Sequence, residues 1–431
     1  MFHSILGPVF VLSVCIFVHE LGHLLACLIS GVRVEKFSLG FGKKLWGMTY
    51  KGCEYQLALI PFGGYVKMAG GDLPHESKGE KDEFHSKPIP VKVFVVLSGI
   101  LMNLLLGIFL FWVVFIAGVS YNPSVIGEVE KASPADIAGI KSKDRILKIG
   151  KEDVSEWKEV VQRIMMNPGK PLDFMLLRGS ETIAKKVLVE NVEGIGYIGA
   201  SCLVQPRIGE FVSGLPAEKA GLKKGDLVLF VDTKKVDSWE EMTSAVREKL
   251  DEFSLLVERD GKEIAFHLKP IITTEGTATF GRIGVFPQMP IKRYSPITAL
   301  PKAVSETKEM LMLNIIGIWK LITGKLSLKM TAGPIGIIQM SAAAAKTSFT
   351  TLLQLTAIIS ICLVVINLLP IPIADGGIVF LFLLEAIRRK PFSEKFYSRF
   401  SQVGMAFLIL IFVMVTINDL TRIFGNFPFR K

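Results

Sequence analysis

His19, Glu20 and His23 stand in the stretch VCIFVHELGHLLACLI, residues 14–29, where almost every neighbour suits lipid. On a helix the two imidazoles project from one face about one turn apart. That spacing lets both bind one zinc ion, with Glu20 beside the site to take a proton from water. An ionisable group at the centre of a bilayer costs about 2.5–3.5 kcal/mol on insertion scales. Three in one apolar run therefore read as functional, rather than as a surface ion-pair cluster or as histidines satisfied by their neighbours.

A catalytic zinc takes a third protein ligand and keeps one position open. The other histidines, His3, His75, His85 and His267, lie outside apolar runs, which leaves the carboxylates Asp375, Glu385 and Asp419. Glu385 and Asp419 stand at the ends of runs beside Arg388 and Arg422, where snorkelling or pairing accounts for them. Asp375 sits in NLLPIPIADGG, where Pro370 and Pro372 break a helix and Gly376–Gly377 permit tight turning. A broken helix at membrane depth is tolerated only inside protein or around a wet cavity. Asp375 is the favoured third ligand, and the competing reading is a kinked helix with a polar residue at its hinge.

The elements that must position these residues follow from composition. Half of the 431 residues are hydrophobic, and 50 Lys and Arg against 40 Asp and Glu leave a net charge of +10. This is a membrane class of composition, and the basic surplus suits an anionic lipid surface rather than nucleic acid. Four apolar runs, about 5–29, 93–119, 352–387 with an interruption, and 403–420, approach the roughly 20 residues that a bilayer requires. The first lacks the basic start and small-residue cleavage site of a signal peptide. The five cysteines form no disulfide or metal-binding pattern.

Loop 31–92 is rich in lysine, and Arg388, Arg389, Lys390, Lys395 and Arg399 follow run three. The positive-inside rule places both loops in the cytoplasm, and hence both chain ends and residues 120–300 outside, although Arg422, Arg430 and Lys431 weigh mildly the other way.

The long outer stretch is a repeat. GEVEKASPADIAGIKSKDRILKIG starts at Gly127 and GEFVSGLPAEKAGLKKGDLVLFVD at Gly209, and the 82-residue offset holds through Trp157 and Trp239. Each copy reads as a strand, a short helix, an alternating strand, and a helix opening at Ser155 or Ser238. The pair is similar to PDZ domains in their circularly permuted bacterial form. That resemblance places a carboxylate-binding loop at GYIGA and GRIGV, with Tyr197, Ile198, Gly199, Arg282, Ile283 and Gly284. There, backbone N–H groups would capture a peptide C-terminus. Tyr197 and Arg282 are bulky enough to crowd the grooves, so a peptide ligand is left open beside a purely steric role.

HELGH in the first run, NLLPIPIADG in the third and the tandem insertion together resemble the site-2 protease family of intramembrane zinc metalloproteases, over essentially the whole chain. The family motifs are H-E-x-x-H and N-x-x-P-x-P-x-L-D-G, and Ala374 stands here where Leu is usual. The resemblance implies one zinc ion per chain held by His19, His23 and Asp375, with Glu20 as general base. It implies that Asn367, Pro370 and Pro372 shape and hold the substrate, and that Gly99 and Asn103 fit a second-span GxxxN pattern. Residues 37–68 resemble the family's membrane-associated β-hairpins, with Gly63, Gly64 and Tyr65 at the substrate. A strand edge there would give hydrogen-bond partners to an unwound transmembrane substrate. The implied substrate is a single-pass membrane protein, an anti-sigma factor already trimmed outside, with remnant signal peptides as a second candidate. The implied location is the bacterial inner membrane with the repeats in the periplasm.

The expected fold is a polytopic α-helical membrane protein with four transmembrane helices, cytoplasmic β-hairpins and two extracytoplasmic α+β domains. The expected order is a first span at 1–30, a hairpin region at 31–92 and a second span at 93–119. Repeats at 124–203 and 204–290 follow. An interfacial amphipathic helix with Trp319 and Lys320 as anchors, and a linker, occupy 291–349. A third span covers 350–387, a cytoplasmic loop 388–402 and a fourth span 403–422. Three other readings are a non-catalytic PDZ scaffold, a prenyl-protein peptidase with a downstream Glu ligand, and an ion transporter. The first needs no zinc, the second no repeat, and the third no H-E-x-x-H spacing.

Overall fold

The computed structural model describes residues 2–70, 77–192, 194–212, 214–275, 278–324 and 331–424; His75, Arg430 and Lys431 lie outside them. The chain divides into two compact units, Met1–Gly118 with Arg293–Lys431, and Val119–Lys292.

The first unit is built on apolar helices. α1 (Phe2–Ser30) and α2 (Ile89–Ala117) pack together where Gly22 lies against α2, since a Cβ there would stand 2.5 Å from the Ser98 carbonyl oxygen. Small residues let helix backbones approach where lipid supplies no hydrophobic drive. Among the described residues, four helical segments are long and apolar enough to cross a membrane: Ile5–Ser30, Ile89–Ala117, Phe349–Leu368 and Glu394–Thr421.

Between α1 and α2, β1 (Val34–Tyr50) and β2 (Cys53–Met68) form an antiparallel sheet with a doubled register. Phe37 faces both Tyr55 and Val66, and Leu39 faces both Leu57 and Gly64. The early part of β1 is thus central, flanked by the two halves of β2. Gly63, at φ 142°, permits the turn between those halves.

The second unit carries the repeat. Its short helices α3 (Pro134–Ile137) and α5 (Pro216–Lys219), and longer helices α4 (Trp157–Met165) and α6 (Trp239–Arg247), correspond across the two copies. Each copy has a four-stranded sheet of matching order. One runs through Glu152–Asp153, Arg145–Ile149, Pro171–Arg178 and Glu181–Leu188, the other through Lys234–Lys235, Leu227–Val231, Phe253–Arg259 and Lys262–Leu268. Ser238 caps α6 as its sequence predicts, accepting from the Glu241 N–H. In the first copy the helix opens one residue after the expected Ser155, at Glu156, because Glu159 folds back to accept the Ser155 and Glu156 N–H groups.

Past the second unit, α7 (Pro296–Ile322) forms in the stretch read as an interfacial helix. Its small face, Ala299, Ala303 and Thr307, is buried, and further along the Cys362 thiol donates to the Asn314 side-chain oxygen at 3.1 Å. The helix packs lengthwise on α2 and α9 (Phe349–Leu368), with Asn314 meeting Cys362 of α9. α8 (Pro334–Thr347) was not anticipated; its signal was Pro334 at the first helical position before an alanine-rich run.

The third apolar run is not one helix to residue 387. α9 ends at Leu368, the proline segment turns, and α10 (Asp375–Arg388) begins anew. Ile373 has φ 81°, and Gly376 and Gly377 pack directly on the Leu368 and Ile371 carbonyls, leaving no room for a Cβ. α11 (Glu394–Phe424) starts well before the expected 403.

Candidate metal and active site

α1 holds His19 and His23 with their Nε2 atoms 3.2 Å apart. The Asp375 Oδ2, at the first residue of α10, lies 3.2 Å from His19 Nε2 and 3.7 Å from His23 Nε2. Each residue can offer one ligand atom, and the three all lie within 4.8 Å of one another.

The outer nitrogens set the tautomers. His23 Nδ1 donates to the Val95 carbonyl at 2.9 Å, which leaves Nε2 as a lone pair facing Asp375. The Asn103 amide stands 3.4 Å from His19 Nδ1, while its Oδ1 is buried without a partner. Turning that amide over puts the oxygen on an Nδ1–H and frees His19 Nε2 as a second lone pair. Asp375 Oδ2 is itself buried with no hydrogen bond. Three electron-rich atoms so close repel one another unless a cation lies among them. The residues present therefore fit a zinc ion, with two nitrogens, one oxygen and second-layer partners on both imidazoles.

Gly99 makes this geometry possible. A Cβ on it would sit 2.5 Å from His23 Nε2 and 2.8 Å from His19 Cε1, so α2 can pass the site only as glycine. Gly99 and Asn103, one turn apart on α2, meet the two histidines from the same face.

Around the three donors is a cavity of about 620 Å³. Of the residues named from the sequence, Glu20, Gly64, Tyr65 and Asn367 line it; Gly63, Pro370 and Pro372 lie outside its lining. Gly63 is packed on the Phe41 ring, Pro372 lies against Gly404 of α11, and Pro370 is exposed at the turn. The sequence reading missed His85, Tyr397, Phe400 and Ser401 in the wall. They come from polar loops and from a helix start that carries no motif.

The two rejected acids both accept hydrogen bonds within the protein. Glu385 accepts from the Tyr397 hydroxyl and the Phe392 N–H, each at 2.8 Å, while the Arg388 guanidinium lies over the Phe392 ring. Asp419 accepts the N–H groups of Gly333 and Gly336 at the start of α8.

In the second unit, the predicted loop residues divide by role. Ile198 and Ile283 are buried core side chains, and Gly199 and Gly284 take left-handed turns at φ 69° and 79°. Tyr197 is partly exposed and its hydroxyl bonds to Glu130. Arg282 lines, without filling, a groove of about 500 Å³ between α6 and residues 283–286.

The sequence profile of Peptidase family M50 matches residues 8–411. Protease RseP of Yersinia pestis is 30% identical over 451 residues, covering 97% of this chain and 99% of that one. Regulator of sigma E protease of Haemophilus influenzae is 30% identical over 434 residues, covering 96% and 97%. A putative zinc metalloprotease of Vibrio cholerae is 29% identical over 443 residues, covering 96% and 97%. A solved PDZ domain of an SdrC-like protein from Listeria monocytogenes aligns with TM-score 0.18 and 17% identity, over 20% of this chain and 90% of that one, too little to carry weight. With a family match that spans nearly the whole chain and a site that fits zinc, this chain belongs to Peptidase family M50, the site-2 protease family of intramembrane zinc metalloproteases.

Proposed function

We propose that the protein is an endopeptidase that cuts a single-pass transmembrane protein within the bilayer, with His19, His23 and Asp375 holding one zinc ion and Glu20 as general base. The observation that carries this is the meeting of three potential ligand atoms, within 4.8 Å of one another, and Glu20 in one cavity walled by a strand edge. When bound, zinc supplies Lewis acidity to the scissile carbonyl and to the attacking water. Glu20 takes the proton from that water and returns it to the leaving amine. Asn103 and the Val95 carbonyl hold the imidazoles in the required tautomer.

The substrate must unwind to expose its amide, and its freed N–H and C=O groups need partners away from water. The Gly64–Met68 half of β2 pairs with β1 on one side, and among the described residues no strand covers its other side. That edge lines the cavity through Gly64, Tyr65, Val66 and Met68, where an extended substrate can add as a strand. Asn367 faces the same space, and Pro370 and Pro372 fix the turn that delivers Asp375.

The chain sits in a bacterial inner membrane with the hairpin region cytoplasmic and the second unit, read as two permuted PDZ domains, periplasmic. The lysine-rich 31–92 loop supports that orientation. Relatives named as regulators of sigma E support an anti-sigma factor, trimmed outside beforehand, as substrate; remnant signal peptides share its single-span form. The test is Glu20→Gln in the full-length protein with a transmembrane reporter. Zinc content should stay and cleavage should fall by about 10²–10⁴-fold. Near-normal turnover would overturn the assignment of the base.

A further inference from the structure

A second pocket, of about 480 Å³, lies where α2 begins and α10 ends, walled by Ser77, His85, Lys92, Glu385, Arg389 and Lys390 among others. Its size is in the range of ligand sites, roughly 300–1,000 Å³. Three cations face one acid. The acid, Glu385, is already spent on Tyr397 and Phe392 inside the protein. Lys92 has the Phe382 ring 5.6 Å away, and no described carboxylate forms an ion pair with Lys92, Arg389 or Lys390.

Two features make this more than a solvated basic face. Arg389 follows α10 in the left-handed conformation, φ 55° and ψ 24°, where glycine is the usual residue. A bulky side chain kept there points to a use for its charge. Lys92 is in the first turn of α2, where the helix dipole opposes a cation. The cations at the end of α10 complement that helix; Lys92 complements nothing in its own.

We propose that this pocket binds the phosphate headgroup of an anionic phospholipid. It lies at the ends of the segment Ile89–Ala117 and of α10, the level at which lipid phosphates border the hydrocarbon core. His85 and Tyr397 belong to its wall and to the wall of the catalytic cavity, so the bound lipid borders the substrate space.

The test offers the full-length protein in detergent phosphatidylglycerol and phosphatidylcholine with matched chains, and counts retained lipids by native mass spectrometry. Phosphatidylglycerol should be retained with a roughly tenfold preference. Lys92→Gln, Arg389→Gly and Lys390→Gln together should erase that preference. Arg389→Gly alone should lower it, and this change suits the left-handed turn, so a folding failure of the triple variant leaves the test intact. Equal retention of both lipids, or a preference that survives Arg389→Gly undiminished, would overturn the proposal. Displacement of phosphatidylglycerol by excess inorganic phosphate would assign the pocket to free anions and overturn the lipid.

Discussion

Gly64 of the hairpin lies against Glu20 of the first helix so closely that a Cβ on Gly64 would stand 2.9 Å from the Glu20 Cγ and 3.0 Å from the Ser38 carbonyl oxygen. The strand that borders the cavity and the residue assigned as base are thus fitted to each other. Gly64→Val should push the strand from Glu20 without touching the metal donors. Misplacement by about 1 Å can cost roughly 10²-fold in rate, so cleavage should fall by that order while zinc content, read by elemental analysis, stays unchanged. A variant that loses zinc in step with activity would place Gly64 in the metal site instead.

The second layer of the site is tested at Asn103. Asn103→Leu removes the amide beside His19 Nδ1 while keeping size. Loss of such a partner lowers metal affinity or activity by about 10–100-fold. Competition with a zinc chelator of known affinity measures it.

Asp375→Ala should lose zinc and nearly all cleavage, whereas Glu385→Ala and Asp419→Ala should keep zinc, because their carboxylates serve backbone and tyrosine donors. Stripping the wild-type protein with chelator and restoring zinc should recover its activity, and should not do so in Asp375→Ala. Zinc retention by Asp375→Ala would require a different third ligand.

The second unit carries a paired acid-sensitive feature. Asp144 is fully buried against Arg178, and Asp226 against Arg259, with charge-assisted bonds of 2.7 Å. Burial pushes both carboxyls up, and the arginine and backbone N–H partners more than offset it, leaving both below the usual carboxylate range. The stability they contribute is full above the unfolded value of about 3.9 and is lost as pH falls through the lower folded values. The unit should therefore melt earlier as the pH drops below about 4. At neutral pH, Asp226→Ala should cost about 3 kcal/mol by leaving Arg259 unpaired. Thermal unfolding followed by circular dichroism reads both effects.

The chain leaves α2 into the second unit and returns through α7, so the repeats are an insertion in the membrane unit. Replacing 124–290 by a short flexible linker should leave zinc binding intact and let the enzyme cut substrates that retain their outer domains. Cleavage of full-length and pre-trimmed substrate in membranes, with and without the deletion, reads the result. Equal discrimination by both proteins would show that the repeats do not select substrates by their outer domains.

Features set by near neighbours in the chain were legible in the sequence alone. His19 and His23 share a face because helical periodicity is local, and the apolar runs marked their spans for the same reason. The 82-residue offset also predicted the correspondence of α3 with α5 and α4 with α6. Asp375 could be favoured from its prolines, but its 3.2 Å approach to His19 depends on how α10 packs after the break. The fitting of Gly99 to the histidines, the doubled register that leaves Gly64–Met68 with an open edge, and the lengthwise seat of α7 needed the tertiary structure. So did the backbone and tyrosine donors that meet Glu385 and Asp419. Each is a contact between segments far apart in the chain, and such contacts are chosen by packing shape and by which buried donors remain unpaired. Periodicity in one segment carries no record of either.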